Sequence, residues 1–131
     1  MLRVSPDGKE VWVQTADTNT NVVLDVSDLA VLSTEPTGKQ PVTNAWTPDR
    51  RYSIITNGQD TFAQVFDART FKEVKRLTIG QGGSNIGFSR DGKTAFLAVR
   101  GANDVAVIDI EKLALAGRIR AGKEPQGLIV R

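Results

Sequence analysis

The sequence predicts an all-β chain: three tandem blades of a β-propeller, each a sheet of four antiparallel strands. Three observations predict this. One pattern recurs three times at a period of 42 residues without a gap. Each repeat divides into four short stretches of strand-forming residues separated by turn residues. Several of those stretches are unbroken apolar runs, which mark strands covered on both faces.

The recurrence is visible first in a turn. Ser5-Pro6-Asp7-Gly8-Lys9 returns as Thr47-Pro48-Asp49-Arg50-Arg51 and again as Ser89-Arg90-Asp91-Gly92-Lys93. The repeats are 5–46, 47–88 and 89–130, within one segment spanning 1–131. Other columns keep their type: Val23, Val65 and Val107; Asp25, Asp67 and Asp109; Leu29, Phe71 and Leu113; Gly38, Gly80 and Gly122. Similarity of this kind inside one chain marks a repeating structural unit, and four strands in about 42 residues is the blade period of propellers.

The strands are expected at Glu10–Thr15, Asn21–Val26, Val31–Thr34 and Val42–Trp46 in the first repeat. The second supplies Tyr52–Asn57, Phe62–Ala68, Glu73–Ile79 and Asn85–Phe88, and the third Thr94–Val99, Asp104–Ile110, Ala114–Arg120 and Gln126–Val130. Val11-Trp12-Val13, Val22-Val23-Leu24 and Ile54-Ile55 are the apolar runs, as stacked blades require. A helical repeat is excluded, because no stretch sustains a 3.6-residue period and Gly or Pro interrupts most windows.

The fixed columns have physical roles. In Ser5-Pro6-Asp7-Gly8, proline presets the turn and Asp bonds the neighbouring backbone. Gly8 and Gly92 are expected at positive φ, and Arg50, which takes that position in the second repeat, in the same left-handed conformation at a cost of roughly 1 kcal/mol. Asp25, Asp67 and Asp109 are expected to cap turns; one carboxylate per blade is too sparse for the six to eight oxygens calcium prefers. Trp12 and Trp46 align with apolar residues of the other repeats and read as blade packing. Gly80-Gln81-Gly82-Gly83-Ser84 lacks the Lys-Ser/Thr ending of a phosphate loop and reads as a flexible connection.

Composition excludes several functions. With no cysteine and no histidine, the chain has no thiolate chemistry and no Ser-His-Asp or Cys-His triad. No metal site and no cofactor are expected. No run approaches the roughly 20 apolar residues of a membrane helix. The first residues, Met1-Leu2-Arg3-Val4-Ser5-Pro6, lack the apolar core of a secretion signal. A net charge of +2 without a basic stripe does not favour nucleic acid.

These motifs together resemble the YVTN-repeat, or YncE-like, β-propellers. Ser5–Lys9 matches the opening turn of that repeat, Ile54-Ile55-Thr56-Asn57 its Tyr-Val-Thr-Asn strand, and Asn103-Asp104-Val105-Ala106-Val107-Ile108-Asp109 the strand after it. Gly122-Lys123-Glu124-Pro125-Gln126-Gly127-Leu128 matches its Gly-x-x-Pro-x-Gly-Ile ending. Trp12–Thr15, Phe96–Val99, Arg90 and Gly80–Ser84 depart from the pattern. WD40 repeats share the period, but their Gly-His and Trp-Asp signatures are absent. The resemblance implies a periplasmic or extracellular binding scaffold in a larger, seven-bladed ring. Related propellers include lactonases and a haem d1-binding domain; the haem reading lacks an axial histidine.

Three blades make an open arc, since closed rings have four to eight. Met1–Val4 aligns with the end of an innermost strand, and Val130-Arg131 lies one strand into a further unit, so the chain is expected to start and stop inside blades. Leaving two apolar faces bare forgoes on the order of 10 kcal/mol at about 25 cal/mol per Å². Either further blades or a second copy is expected to cover them. The first repeat has two lysines against six carboxylates, net −4, whereas the second and third are each +2, which favours head-to-tail self-association into six blades.

The functional expectation is a non-enzymatic binding module whose loops at one channel face hold a protein or small-molecule ligand. One loop set contains Asn57, Asp60, Arg100 and Asn103; the other contains Lys39, Gln40, Gln81, Lys123 and Glu124. The alternative is a lactonase-type hydrolase, in which Glu124 with Arg100 or Lys123 would do the acid–base work.

Overall fold

The computed structural model describes all 131 residues. Its strands are β1 (Leu2–Val4), β2 (Glu10–Thr15), β3 (Thr20–Asp25), β4 (Val31–Pro36), β5 (Pro41–Trp46) and β6 (Tyr52–Asn57). They continue as β7 (Phe62–Asp67), β8 (Glu73–Thr78), β9 (Gly83–Phe88), β10 (Thr94–Val99), β11 (Asp104–Asp109) and β12 (Ala114–Arg120). One 3₁₀ turn, Arg100–Ala102, joins β10 to β11. The strands form three four-stranded sheets, β1-β2-β3-β4, β5-β6-β7-β8 and β9-β10-β11-β12, paired antiparallel throughout. This is a segment of three propeller blades.

Blade limits and repeat limits differ by one strand. The last strand of each repeat, β5 or β9, bonds to the three strands after it rather than the three before. The chain therefore holds three complete sheets instead of starting inside a blade. Gln126–Val130 forms no strand, because no fourth sheet supplies a ladder partner. The Gly80–Ser84 connection is shorter than expected: Gly83 and Ser84 already belong to β9 and are buried.

The middle blade is packed on both sides, by different chemistry. Towards blade 3 the seam is aliphatic, with Ile54, Val65, Leu77 and Ile79 against Leu97, Val99, Ala106 and Ile108. Towards blade 1 it is aromatic, with Trp12 and Val23 against Ile55 and Phe66, flanked by Trp46 and Phe71. The outward faces of blades 1 and 3 have no neighbour: Leu2, Val4 and Val31 on blade 1 and Ile119 on blade 3 are all more than half exposed.

The repeated turns close as their residues dictate. The Ser5 hydroxyl donates to Asp7 Oδ1 at 2.7 Å, the Lys9 N–H donates to the same oxygen at 3.2 Å, and the Glu10 N–H donates to Ser5 Oγ at 3.0 Å. Thr47 with Asp49 and Ser89 with Asp91 repeat the arrangement. The serine hydroxyl and the backbone N–H hold the Asp7 and Asp91 carboxyls below the usual aspartate value. Asp25, Asp67 and Asp109 each accept a backbone N–H from the following turn.

Arg50 stands at φ 61°, where its counterparts Gly8 and Gly92 stand at 77° and 73°. Arg50→Gly removes that left-handed strain, about 1 kcal/mol, and is expected to raise the melting temperature by roughly 3–5 °C. Calorimetry giving an unchanged or lower Tm would contradict the reading. The Leu29, Phe71 and Leu113 column is also left-handed, at φ 61°, 65° and 47°. Phe71 packs on the blade 1–blade 2 core and Leu113 on the blade 2–blade 3 core, whereas Leu29, with no blade before it, is 68% exposed. The strain is offset where the side chain caps a neighbour.

Candidate functional site

Connections from the second to the third strand of a blade and from one blade to the next emerge on one edge of the arc. The Gly38–Gln40 connection leads from blade 1 to blade 2, and the Gly80–Gly82 connection from blade 2 to blade 3. Beside them stand the hairpin tips 58–61 and 100–103. The structure brings the two expected loop sets together by main-chain hydrogen bonds. The Gly58 N–H donates to the Gln40 carbonyl at 2.7 Å and the Gln59 N–H to the Lys39 carbonyl at 3.2 Å. The Gly82 N–H donates to the Asp60 carbonyl at 3.0 Å, the Arg100 N–H to the Gly82 carbonyl at 2.9 Å and the Gly101 N–H to the Gln81 carbonyl at 2.9 Å. A side chain at Gly101 would come within 2.8 Å of the Gln81 carbonyl, so the tight seam requires glycine there.

Three candidate residues build this edge rather than project from it. Asp60 Oδ2 accepts the Lys39 N–H at 2.5 Å. Asn103 takes the left-handed conformation, φ 57°, and its Oδ1 accepts the Glu124 N–H at 2.9 Å. Asn57 is fully buried. Its Nδ2 donates to the Phe62 carbonyl and to Gln64 Oε1, both at 3.2 Å, and it lies directly beneath Gly38, where an added Cβ would come within 2.7 Å of its carboxamide carbon.

Gln64 is the residue that sequence reading missed. It is completely buried between blades 1 and 2. Its Oε1 accepts the Gly38 N–H at 2.8 Å, while its Nε2 donates to the Pro36 carbonyl at 3.3 Å and to Glu73 Oε2 at 2.7 Å. One carboxamide thus ties the exit of blade 1 to two strands of blade 2. Burial pushes the Glu73 carboxyl up, but the hydrogen bonds from Arg76 and Gln64 outweigh it and hold the group below its usual value. Arg76 completes the edge, bonding Glu73 at 2.9 Å and lying 4.3 Å from the Phe62 ring centre. The only sequence signal was a polar residue inside a strand otherwise rich in apolar types.

The remaining candidates are free. Lys39, Gln40, Gln81, Arg100, Lys123 and Glu124 are exposed, and none of their side chains enters a hydrogen bond or ion pair. Glu124 is not paired with Arg100 or Lys123. The edge is therefore a rigid main-chain seam carrying unpaired polar and charged side chains.

No protein-family model matches this chain, and no curated protein matches it. Solved structures do. The chain is similar to Kuenenia stuttgartiensis hydrazine synthase, with 26% identity and a TM-score of 0.87, over 95% of this chain and 36% of that one. It is similar to the dihydro-heme d1 dehydrogenase NirN, solved in complex with DHE, with 18% identity and a TM-score of 0.79, over 91% of this chain and 27% of that one. A putative 6-phosphogluconolactonase from Bacteroides fragilis aligns with 17% identity and a TM-score of 0.77, over 96% of this chain and 39% of that one. The chain spans less than two fifths of each of these proteins. What the likeness shows is the fold, a three-blade stretch of a β-propeller.

Proposed function

We propose that this chain is a non-enzymatic binding segment of a propeller and that the stitched loop edge holds its ligand. One observation supports this above the others: main-chain bonds fix the loops, while Lys39, Gln81, Arg100, Lys123 and Glu124 are left exposed without partners. A surface held rigid before binding loses little entropy when a partner arrives. Asn57, Asp60 and Asn103 position the loops from below. Lys39, Arg100 and Lys123 supply three free cations, against the free carboxylates of Glu124 and, on the blade 1 hairpin, Asp17, so an acidic partner fits best. The YVTN-like repeat pattern supports a periplasmic or extracellular setting. No helix of the chain is long and apolar enough to cross a membrane.

Titration with a polyglutamate peptide, followed by amide chemical shifts, tests this reading. Shifts are expected at 39–40, 81–82, 100–101 and 123–124, and are expected to vanish in the Lys39→Ala/Arg100→Ala/Lys123→Ala variant. Shifts confined to the Asp7, Asp49 and Asp91 turns, or none, would remove it. A lactonase-type hydrolase is the other reading. Turnover of a simple lactone that is lost in Glu124→Gln would establish it in place of pure binding.

A further inference from the structure

The edge opposite the stitched loops carries the turns between the first and second strands of each blade and those between the third and fourth. In blade 2 these are 47–51 and 68–72. The Ala68 N–H donates to the Arg51 carbonyl at 2.9 Å and joins the two turns. Asp49 Oδ1 accepts the Thr47 hydroxyl at 2.6 Å and the Arg51 N–H at 3.0 Å. Asp67 Oδ1 accepts the Arg69 and Thr70 N–H groups at 2.9 and 2.8 Å. Both turns are thereby fixed, and both carboxylates are engaged in fixing them.

Three guanidiniums stand over this pair of turns. Arg50, Arg51 and Arg69 line one cleft of about 310 Å³, together with Tyr52 and Asp67. All three arginines are exposed, and none forms an ion pair. Arg51 is held in place: its Nη2 donates to the Tyr52 hydroxyl at 3.1 Å, and its guanidinium lies 5.1 Å from that ring centre. Arg50 and Arg69 also wall a second cavity of about 340 Å³ in the seam between blades 1 and 2, with Trp46 beside them and Asp7, Lys9 and Glu10 across it.

The other blades lack this cluster. At the positions of Arg50, Arg51 and Arg69, blade 1 has Gly8, Lys9 and Ser27, and blade 3 has Gly92, Lys93 and Glu111. The matching cavity between blades 2 and 3 sets three carboxylates, Asp49, Asp91 and Glu111, against Arg51 and Lys93. The turn requires only glycine where Arg50 stands at φ 61°. Left-handed strain in a residue other than glycine, kept where the fold does not need it, marks a side chain with a separate task.

We propose that Arg50, Arg51 and Arg69 bind the phosphate group of a small phosphate monoester, and that its organic part lies in the adjoining cavity against Trp46. Guanidinium forks match phosphate oxygens two at a time, and a phosphate monoester brings close to two negative charges at neutral pH. Asp7 and Glu10 on the far wall repel a second anionic group, so they confine the phosphate to the blade 2 turns and favour a neutral or cationic remainder. The half-buried indole of Trp46 offers that remainder a flat apolar surface.

Inorganic phosphate and phenyl phosphate, titrated separately into the full chain at constant ionic strength, test the site by amide chemical shifts. Both are expected to move 50–52 and 67–70. Phenyl phosphate alone is expected to move the Trp46 indole N–H, and to bind at least about tenfold more tightly. Arg50→Gly removes a guanidinium and the backbone strain together, so folding and binding are expected to part. Its Tm without ligand is expected to rise, while its affinity for phenyl phosphate falls at least about tenfold. Phenyl phosphate is expected to raise the Tm of the parent chain and to leave that of Arg50→Gly nearly unchanged. No shift at either turn, or undiminished binding by Arg50→Gly, would overturn the site. Equal affinity for the two anions, with the Trp46 indole unmoved, would overturn the monoester and its place in the cavity.

Discussion

In urea denaturation, Trp12→Ala is expected to lower the unfolding free energy by about 3–5 kcal/mol. Trp12 is fully buried and meets three aromatic rings edge-on, Trp46 at 5.7 Å, Phe66 at 6.3 Å and Phe71 at 5.9 Å between ring centres. Edge-on pairs each add about 0.5–1.5 kcal/mol to the area they bury. Two of the three partners belong to blade 2 strands and the third to its β7–β8 turn, so the indole joins two sheets that share no ladder. Its removal leaves a cavity across the seam, and neither sheet can close it without sliding over the other. Trp12→Phe is expected to cost clearly less. It keeps an aromatic ring and discards an indole N–H that has no acceptor, and a buried donor without a partner is itself unfavourable by about 1–3 kcal/mol. Equal losses for the two variants would show that the aromatic cluster does not hold the blades together.

Gln64→Leu is expected to cost about 3 kcal/mol, although the volume barely changes. The leucine leaves the buried Gly38 N–H without its acceptor, takes one of the two acceptors from the Asn57 Nδ2 and removes the donor to the Pro36 carbonyl, and a buried group left unpaired costs about 1–3 kcal/mol. Glu73 keeps Arg76 and suffers less. Amide exchange separates this from a general loss of packing: protection at Gly38 is expected to fall more than protection at Leu97 in the aliphatic seam. A loss below about 1 kcal/mol, or a uniform fall in protection, would show that the carboxamide does not anchor the loop edge.

Much of the molecule was legible before any coordinates. Glu10–Thr15, Tyr52–Asn57, Thr94–Val99 and Ala114–Arg120 lie where their residues put them, and Arg50 is left-handed as its glycine counterparts require. The candidate loops are neighbours, as the period implies. Less legible was their division of labour. Asn57 looks like a loop residue and is a buried support, and Gln64 looks like one polar residue in a strand and is the hub of that support.

Residue order alone accounts for the turns, the strands and the 42-residue period, because each depends on groups a few positions apart: an Asp bonding the next N–H, a Gly or Arg forced to positive φ, apolar side chains on successive residues. Stacking decided the rest. Whether β5 joins the sheet before it or the one after it, which apolar column caps a neighbour and which lies bare, and which carboxamide is buried all follow from sheets meeting across long stretches of chain. A burial of that kind exists only once two blades face each other, and no local pattern encodes it.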